Sequence, residues 1–287
     1  MHKTLSITLF LAFSACSFAQ TGKVMDNLSM TSKILKMDRK YAIYLPPGYE
    51  TSQRSYPVLY LLHGGGDDQT GWVQFGEVLH IADKAINEGN ATPMIIVMPD
   101  GSAGQRGFFN DIKGTWRYED FFFDEFIPFV EKQYRIKGEK RYRAVSGLSM
   151  GGGGAFIYAL HRPSMFSSSC PLSASTGSLS LESSKSYYGQ FGIKDVTDAE
   201  IEAYYKRYSV LPQIESIPAD TLKSVRWFID CGDDDFLFEG NSLVHIALRK
   251  KEVPHEFRIR NGGHTWTYWR ESLPSVLAFI SDAFHQY

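Results

Sequence analysis

The chain has 287 residues, 43% hydrophobic and 22% charged, with a formal net charge of −2. That is ordinary globular composition, long enough for one large α/β domain with a sizeable core. With charge near zero and no run of like charges, the composition argues against a nucleic acid or an anionic membrane surface as partner.

The first residues form a targeting pattern. His2 and Lys3 precede an apolar run from Leu5 to Phe13, and small residues then lead to Ser17-Phe18-Ala19 before Gln20. This predicts a secretory signal over residues 1–19, cleaved after Ala19, and a single domain over 20–287 that is secreted or periplasmic. The apolar run is too short to span a bilayer. Cys16 raises a competing reading, a lipoprotein anchored through that cysteine, which Phe13 at the third position before it disfavours. Cys170 and Cys231 lie in or at the end of apolar runs and are expected as buried free thiols. No Cys/His cluster has zinc spacing, so neither a metal nor a cofactor is expected.

Residues 20–28 are polar and read as loose chain. Met30 to Leu35 and Arg39 to Leu45 read as two strands joined by a short turn, with Tyr41, Ile43 and Leu45 alternating against Ala42 and Tyr44. Val58 to Leu62 is a continuous apolar run, the pattern of a parallel strand buried on both faces. It ends in His63-Gly64-Gly65-Gly66-Asp67, where glycines can turn backbone N–H groups toward a ligand. Gly76 to Glu88 reads as a helix and Met94 to Met98 as the next buried strand. Residues 101–117 form a glycine- and aromatic-rich loop with Phe108, Phe109 and Trp116, either a substrate wall or simple packing. Tyr118 to Tyr134 is a helix with an apolar stripe at Phe122, Phe126, Phe129 and Val130, and Pro128 is expected to kink it.

A strand over Tyr142 to Ser146 then meets Gly147-Leu148-Ser149-Met150-Gly151, and a helix over Ala155 to His161 follows. Strand, sharp turn and helix with a serine at the apex is the arrangement that strains a serine and exposes its hydroxyl above a sheet edge. The helix start behind it adds partial positive charge where an oxyanion would form. Phe166 to Leu172 is another strand. Thr176 to Leu222 breaks the rhythm: it is polar and rich in Ser and Tyr, with one helical piece near Asp198 to Tyr208. It is expected as a lid-like insertion over the site. Its tyrosines either stack on an aromatic or sugar group or pack on one another. Val225 to Asp230 is a strand, Asn241 to Lys251 a helix and His255 to Arg260 the last strand. Thr265 to His285 closes the chain as a helix with a bend or break at Pro274. The alternation predicts one doubly wound α/β domain, its sheet mainly parallel after an antiparallel start.

A serine hydroxyl needs a histidine to take its proton and an acid to hold that histidine. In such folds the chain order is Ser, acid, His, the last two on loops after later strands. His264 alone among the later histidines sits on a glycine loop at a strand's C-terminal end. The acid lies among Asp233, Asp234 and Asp235, between which spacing does not choose.

Tyr44-Leu45-Pro46-Pro47-Gly48-Tyr49, Leu61-Leu62-His63-Gly64-Gly65-Gly66, Gly147 to Gly152, Cys231-Gly232 to Asp235-Phe236-Leu237 and Gly262-Gly263-His264 together resemble the esterase D-like branch of the α/β hydrolases. That branch includes feruloyl and acetylxylan carbohydrate esterases, S-formylglutathione hydrolases, siderophore esterases and mycolyltransferases. The resemblance runs from about Tyr41 to Trp269. It implies the α/β-hydrolase fold, a serine esterase with Ser149, Asp235 and His264 as catalytic residues, and backbone N–H groups of Met150 and Gly65 as oxyanion donors. The expected substrate is a small-molecule or polysaccharide-linked ester of plant cell walls, feruloyl before acetyl, with His63, Trp116 and Trp266 as substrate-binding candidates. A siderophore esterase is the rival hydrolase. An acyltransferase and an inactive binding module are the readings from other classes. The Thr176 to Leu222 segment matches no motif, and the oligomeric state is not set by the sequence.

Overall fold

A computed structural model describes residues 21–102, 106–190 and 195–285. The proposed signal and Cys16 lie outside the described residues. Among the described residues the strands form one eight-stranded sheet in the order β1-β2-β4-β3-β5-β6-β7-β8. They are β1 (Lys23–Ser32), β2 (Met37–Leu45), β3 (Val58–Leu62), β4 (Ile95–Pro99), β5 (Arg143–Leu148), β6 (Ser168–Leu172), β7 (Arg226–Gly232) and β8 (His255–Arg260). β1 pairs antiparallel with β2, and β2 antiparallel with β4. From β4 to β8 every pairing is parallel. This is the α/β-hydrolase fold.

The all-apolar runs became the central strands for a simple reason. β3 and β4 are buried along their whole length because helices cover both faces of the sheet. One face carries Phe122, Phe126 and Tyr158. The other carries Trp72, Trp269 and the C-terminal helix residues Leu273, Leu277 and Ile280. Among the described residues no helix is long and apolar enough to cross a membrane. Cys170 and Cys231 are buried and unpaired with each other. Burial pushes both thiols up, Cys231 to about 12, so neither is a ready nucleophile.

Local structure departs from the sequence reading in four places. The segment 23–28 is strand, not loose chain; it lies on the sheet edge, where backbone pairing with β2 outweighs its exposed, irregular side-chain pattern and a bulge falls between Met25 and Leu28. The helix expected over Tyr118 to Tyr134 is not one continuous α-helix before Pro128. A π-helical turn, Phe122–Phe126, sits between the α-helical pieces Tyr118–Phe121 and Ile127–Gln133. Widening the turn relieves the clash of a proline ring with the carbonyl four residues back and absorbs its missing N–H. Pro274 does not break its helix, which runs continuously over Trp266–His285. Among the described residues, the segment 176–222 carries or enters four helices rather than one: Leu181–Gln190, Asp198–Tyr208, Val210–Ser216 and Ala219–Lys223.

That segment is fastened to the sheet layer through a buried carboxylate. Glu119 is fully buried, with His161 Nδ1 at 2.8 Å from one oxygen and the Tyr208 hydroxyl donating to the other at 2.8 Å. Burial alone would raise the Glu119 carboxyl; the hydrogen bonds from His161 and Tyr208 outweigh it and hold it below the usual range. Tyr208→Phe keeps the ring and deletes the donor to a charged acceptor. It is expected to lower the urea midpoint by an amount equivalent to about 1–3 kcal/mol, with an unchanged m-value.

Candidate active site

Parallel strands present all their C-terminal ends at one edge, and the sheet order places β3, β5, β6, β7 and β8 side by side there. The groups singled out for chemistry therefore leave the sheet together: the His63–Asp67 loop after β3, Ser149 after β5, Asp235 after β7 and His264 after β8.

Ser149 joins β5 to the helix Met150–His161 with φ 54° and ψ −116°. A side chain with this backbone carries strain of about 1–3 kcal/mol. Its own backbone groups are fully engaged: its N–H donates to Leu172 O at 2.9 Å, and its carbonyl accepts from Gly153 at 3.0 Å and Ser175 at 2.9 Å. The flanking glycines are required by close approach of backbone to backbone. A Cβ on Gly147 would lie 2.5 Å from Gly151 O, and one on Gly151 2.5 Å from His63 O. The hydroxyl consequently stands clear of the turn.

His264 bridges the serine and the acid. Its Nε2 is 2.9 Å from Ser149 Oγ and its Nδ1 is 2.8 Å from Asp235 Oδ2. An ionised Asp235 accepts only, so Nδ1 carries the proton and Nε2 offers its lone pair to the serine hydroxyl. Trp269 packs edge-on against the imidazole at 4.9 Å and Phe236, 75% exposed, covers its other side at 4.5 Å. Of the three aspartates, Asp233 and Asp234 are exposed and Asp235 is buried. Asp233 Oδ1 accepts from the Gly262 amide at 3.0 Å, which ties the acid loop to the histidine loop.

Asp235 is held by more than the histidine. The Leu237 amide donates to its Oδ1 at 2.8 Å, and the Ser173 side chain lies close enough to it to favour the charged form. Burial would raise this carboxyl; the interactions with His264, Leu237 and Ser173 outweigh burial and hold it below the ordinary carboxylate value. Ser173 is fully buried, has φ 43°, and accepts from Trp269 Nε1 at 3.0 Å. No motif in the sequence marks Ser173, since a serine after a buried strand is unremarkable until the fold sets it beneath the acid.

The β3 loop is braced from below. The Gly101 amide donates to His63 Nε2 at 2.9 Å, so Nδ1 carries the proton and donates to Gly64 O at 2.8 Å. Trp72 Nε1 donates to Leu62 O at 3.0 Å, and Arg39 holds the carbonyls of Asp100 and Ser102. Gly65 is exposed, with nothing within 4 Å of where a Cβ would lie. Met150 begins the helix after Ser149, where amides have no carbonyl one turn earlier. A cleft of ≈ 340 Å³ lies here, lined by Gly65, Asp67, Ser149, His264 and Trp266 among others.

Two of the three substrate-binding candidates need correction. His63 and Trp116 are 1% and 2% exposed, and both bond to backbone instead of facing the cleft. Glycines around them leave the loops without side chains to hold, so the aromatic rings serve as internal struts. Trp266 does line the cleft.

Comparison with known proteins follows the same lines. Residues 32–280 match the family model described as "Putative esterase". A solved structure of a ferulic acid esterase is 35% identical, with a TM-score of 0.81, covering 92% of this chain and 100% of that one. An endo-1,4-beta-xylanase/feruloyl esterase of Xylanibacter ruminicola is 40% identical over 129 residues, 43% of this chain. The match spans 18% of that relative's length. An acetyl esterase of Caldicellulosiruptor saccharolyticus is 23% identical over 276 residues, 88% of this chain and 97% of that protein.

The Ser173 contact is testable through linkage. A carboxyl whose folded value is depressed contributes stability that is present above its unfolded value and lost as pH falls through the folded one. Ser173→Ala raises the folded value toward the ordinary one. Urea unfolding from pH 7 downward is expected to show the variant's deficit at about 1–3 kcal/mol above the ordinary carboxylate value. The part due to Asp235 disappears below the folded value, and a pH-independent remainder from the lost Trp269 bond persists.

Proposed function

The chain belongs to the esterase family of α/β hydrolases, and from that premise we propose that it is a serine carboxylic-ester hydrolase of plant cell-wall polysaccharide esters, feruloyl esters first. The observation that carries the reading is the single imidazole hydrogen-bonded to both Ser149 and Asp235. Ser149 Oγ attacks the ester carbonyl carbon as its proton passes to His264 Nε2. The Met150 and Gly65 amides receive the oxyanion, and Asp235 stabilises the imidazolium without taking its proton. His264 then protonates the departing alcohol. Water attacks the acyl-serine by the same path in reverse, releasing the acid. The sequence of residues 1–19 supports secretion or a periplasmic site of action. Residues 20–287 then act as one esterase domain, with 176–222 as the wall over the site.

Support for an aromatic acyl group comes from a second cavity, ≈ 370 Å³, on the Ser175 side of the nucleophile. Phe109, Tyr188, Tyr204 and Tyr208 line it, Tyr204 and Tyr208 packing at 4.7 Å and Phe109 and Tyr208 at 5.0 Å. Such a wall offers flat apolar faces with hydroxyl tips, which suits a methoxyphenol ring. The ferulic acid esterase similarity points the same way. The acetyl esterase similarity favours acetylated xylan as the second reading.

The chemistry is tested by stopped-flow reaction with p-nitrophenyl acetate. A burst equal to enzyme concentration is expected for the native protein and none for Ser149→Ala, whose kcat falls by roughly 10⁴- to 10⁶-fold. Absence of any burst or turnover in the native protein would put an inactive binding module in its place. The acyl choice is tested by steady-state kinetics on methyl ferulate and acetylated xylan. A higher kcat/KM on the ferulate is expected, and turnover of the acetyl substrate alone would overturn that choice.

A further inference from the structure

The proton that leaves with the alcohol comes from His264 Nε2, so the alcohol half of the ester must lie beside that imidazole. The cleft on that side is the ≈ 340 Å³ one lined by Asp67, Thr265, Trp266 and the glycines of the β3 loop. An alkyl alcohol or a thiol needs only an apolar wall there. This wall instead combines a carboxylate with an indole. Asp67 is the one acidic residue among the described residues lining the cleft, and it is partly buried. Trp266 is fixed as a platform: Trp72 meets it edge-on at 5.2 Å and Trp269 at 5.4 Å, with Phe75 at 5.9 Å. Gly65 and Gly66 have nothing within 4 Å of their missing Cβ positions, which leaves the facing wall open to a ring.

We propose that Asp67 and Trp266 form a subsite for the alcohol half of the ester, and that it takes a neutral sugar bearing a vicinal diol. The two adjacent hydroxyls donate to the two carboxylate oxygens of Asp67, and the C–H face of the sugar lies on Trp266. A carboxylate in a partly desolvated cleft is costly when bare and strongly bound when two donors reach it, which converts a loop aspartate into a selective contact. The same charge repels an anionic alcohol. The subsite rests on the esterase reading for its orientation, and it explains why two acidic residues directly follow the glycine run at Asp67 and Asp68: Asp68 caps its own turn by accepting from Thr70 N–H at 2.8 Å, while Asp67 lines the cleft.

The test separates this subsite from the chemistry. Tryptophan fluorescence of the native protein is titrated with arabinosyl-xylotriose, the alcohol product without its acyl group. Saturable quenching is expected, weakened about 10-fold or more by Asp67→Ala, the scale of a lost charged hydrogen bond. Asp67→Asn, which keeps the shape of the side chain, is expected to fall between. The ratio of kcat/KM for feruloyl-arabinosyl-xylotriose to that for methyl ferulate, two esters of one acid, is expected to drop by the same factor. No saturable quenching in the native protein, or equal affinity in Asp67→Ala, overturns the subsite even if the acyl-enzyme burst is intact. A missing burst overturns the esterase reading and leaves the titration to judge the sugar contact by itself.

Discussion

Ser149 is held at φ 54° against the steric preference of an L residue, and the surrounding chain is arranged to keep it there. Three backbone hydrogen bonds, to Leu172, Gly153 and Ser175, fix its peptide groups. Two of these partners belong to β6 and the loop after it, so the turn is locked only once β6 has paired with β5. The glycines at 147 and 151 let Leu62 and His63 come within contact distance, so the same turn also fixes the β3 loop. The Ser149 turn and the β3 loop are therefore one packed unit. A displacement of either would have to break both the sheet and the strained turn, which is how a flexible hydroxyl is kept in register with its neighbours without any covalent link.

The acid side is organised by satisfying a buried charge. Asp235 could not remain ionised at 4% exposure without donors, and it has them from His264 and Leu237, with the Ser173 side chain close by. Trp269 completes the arrangement twice over, donating to Ser173 and packing edge-on against His264. One indole on the C-terminal helix thereby holds both the serine beside the acid and the imidazole. The helix start, Trp266 to Trp269, thus contributes the platform of the cleft and the support of the acid within one turn.

Much of this was legible in the residues. The apolar runs at Val58, Ile95 and Val225 announce strands buried on both faces, and glycine at the strand ends marks where backbone must turn sharply. The order of serine, acid and histidine narrows the histidine to His264. The acid among three consecutive aspartates was not readable from spacing, because the decisive difference is burial: Asp233 and Asp234 face water while Asp235 turns inward. His63 and Trp116 were misjudged for a related reason. Polar or aromatic residues in glycine-rich loops look available, yet a loop without side chains of its own needs internal struts, and these two supply them. Ser173 left no trace in the sequence, since its importance is set by neighbours 62 and 96 residues away in the chain. The edge strand at 23–28 was missed because an edge is stabilised by backbone pairing, which imposes little pattern on side chains.

In the proposed function the two cavities take the two halves of the ester, the cleft at His264 the alcohol and the tyrosine-lined cavity the acyl group. The cleft at His264 is walled by the β3 loop and the C-terminal helix, both part of the scaffold that every pairing in the sheet reinforces. The tyrosine-lined cavity is walled largely by 176–222, which is tied to the sheet layer through Glu119, the acceptor of the Tyr208 hydroxyl. Residues in the first wall are constrained by their neighbours: they must leave His264 Nε2 and Ser149 Oγ accessible. In the second, Tyr208 is held by Glu119, while its neighbours are constrained mainly by the shape of whatever lies against them. Substrate choice on the acyl side can therefore change with little cost to the fold, and for that reason it is the property least readable from motifs and most dependent on how Tyr188, Tyr204 and Tyr208 pack. A cleft built into the sheet edge itself offers fewer solutions than a wall of inserted helices, so a single carboxylate placed there constrains a ligand more than five tyrosines in the insertion.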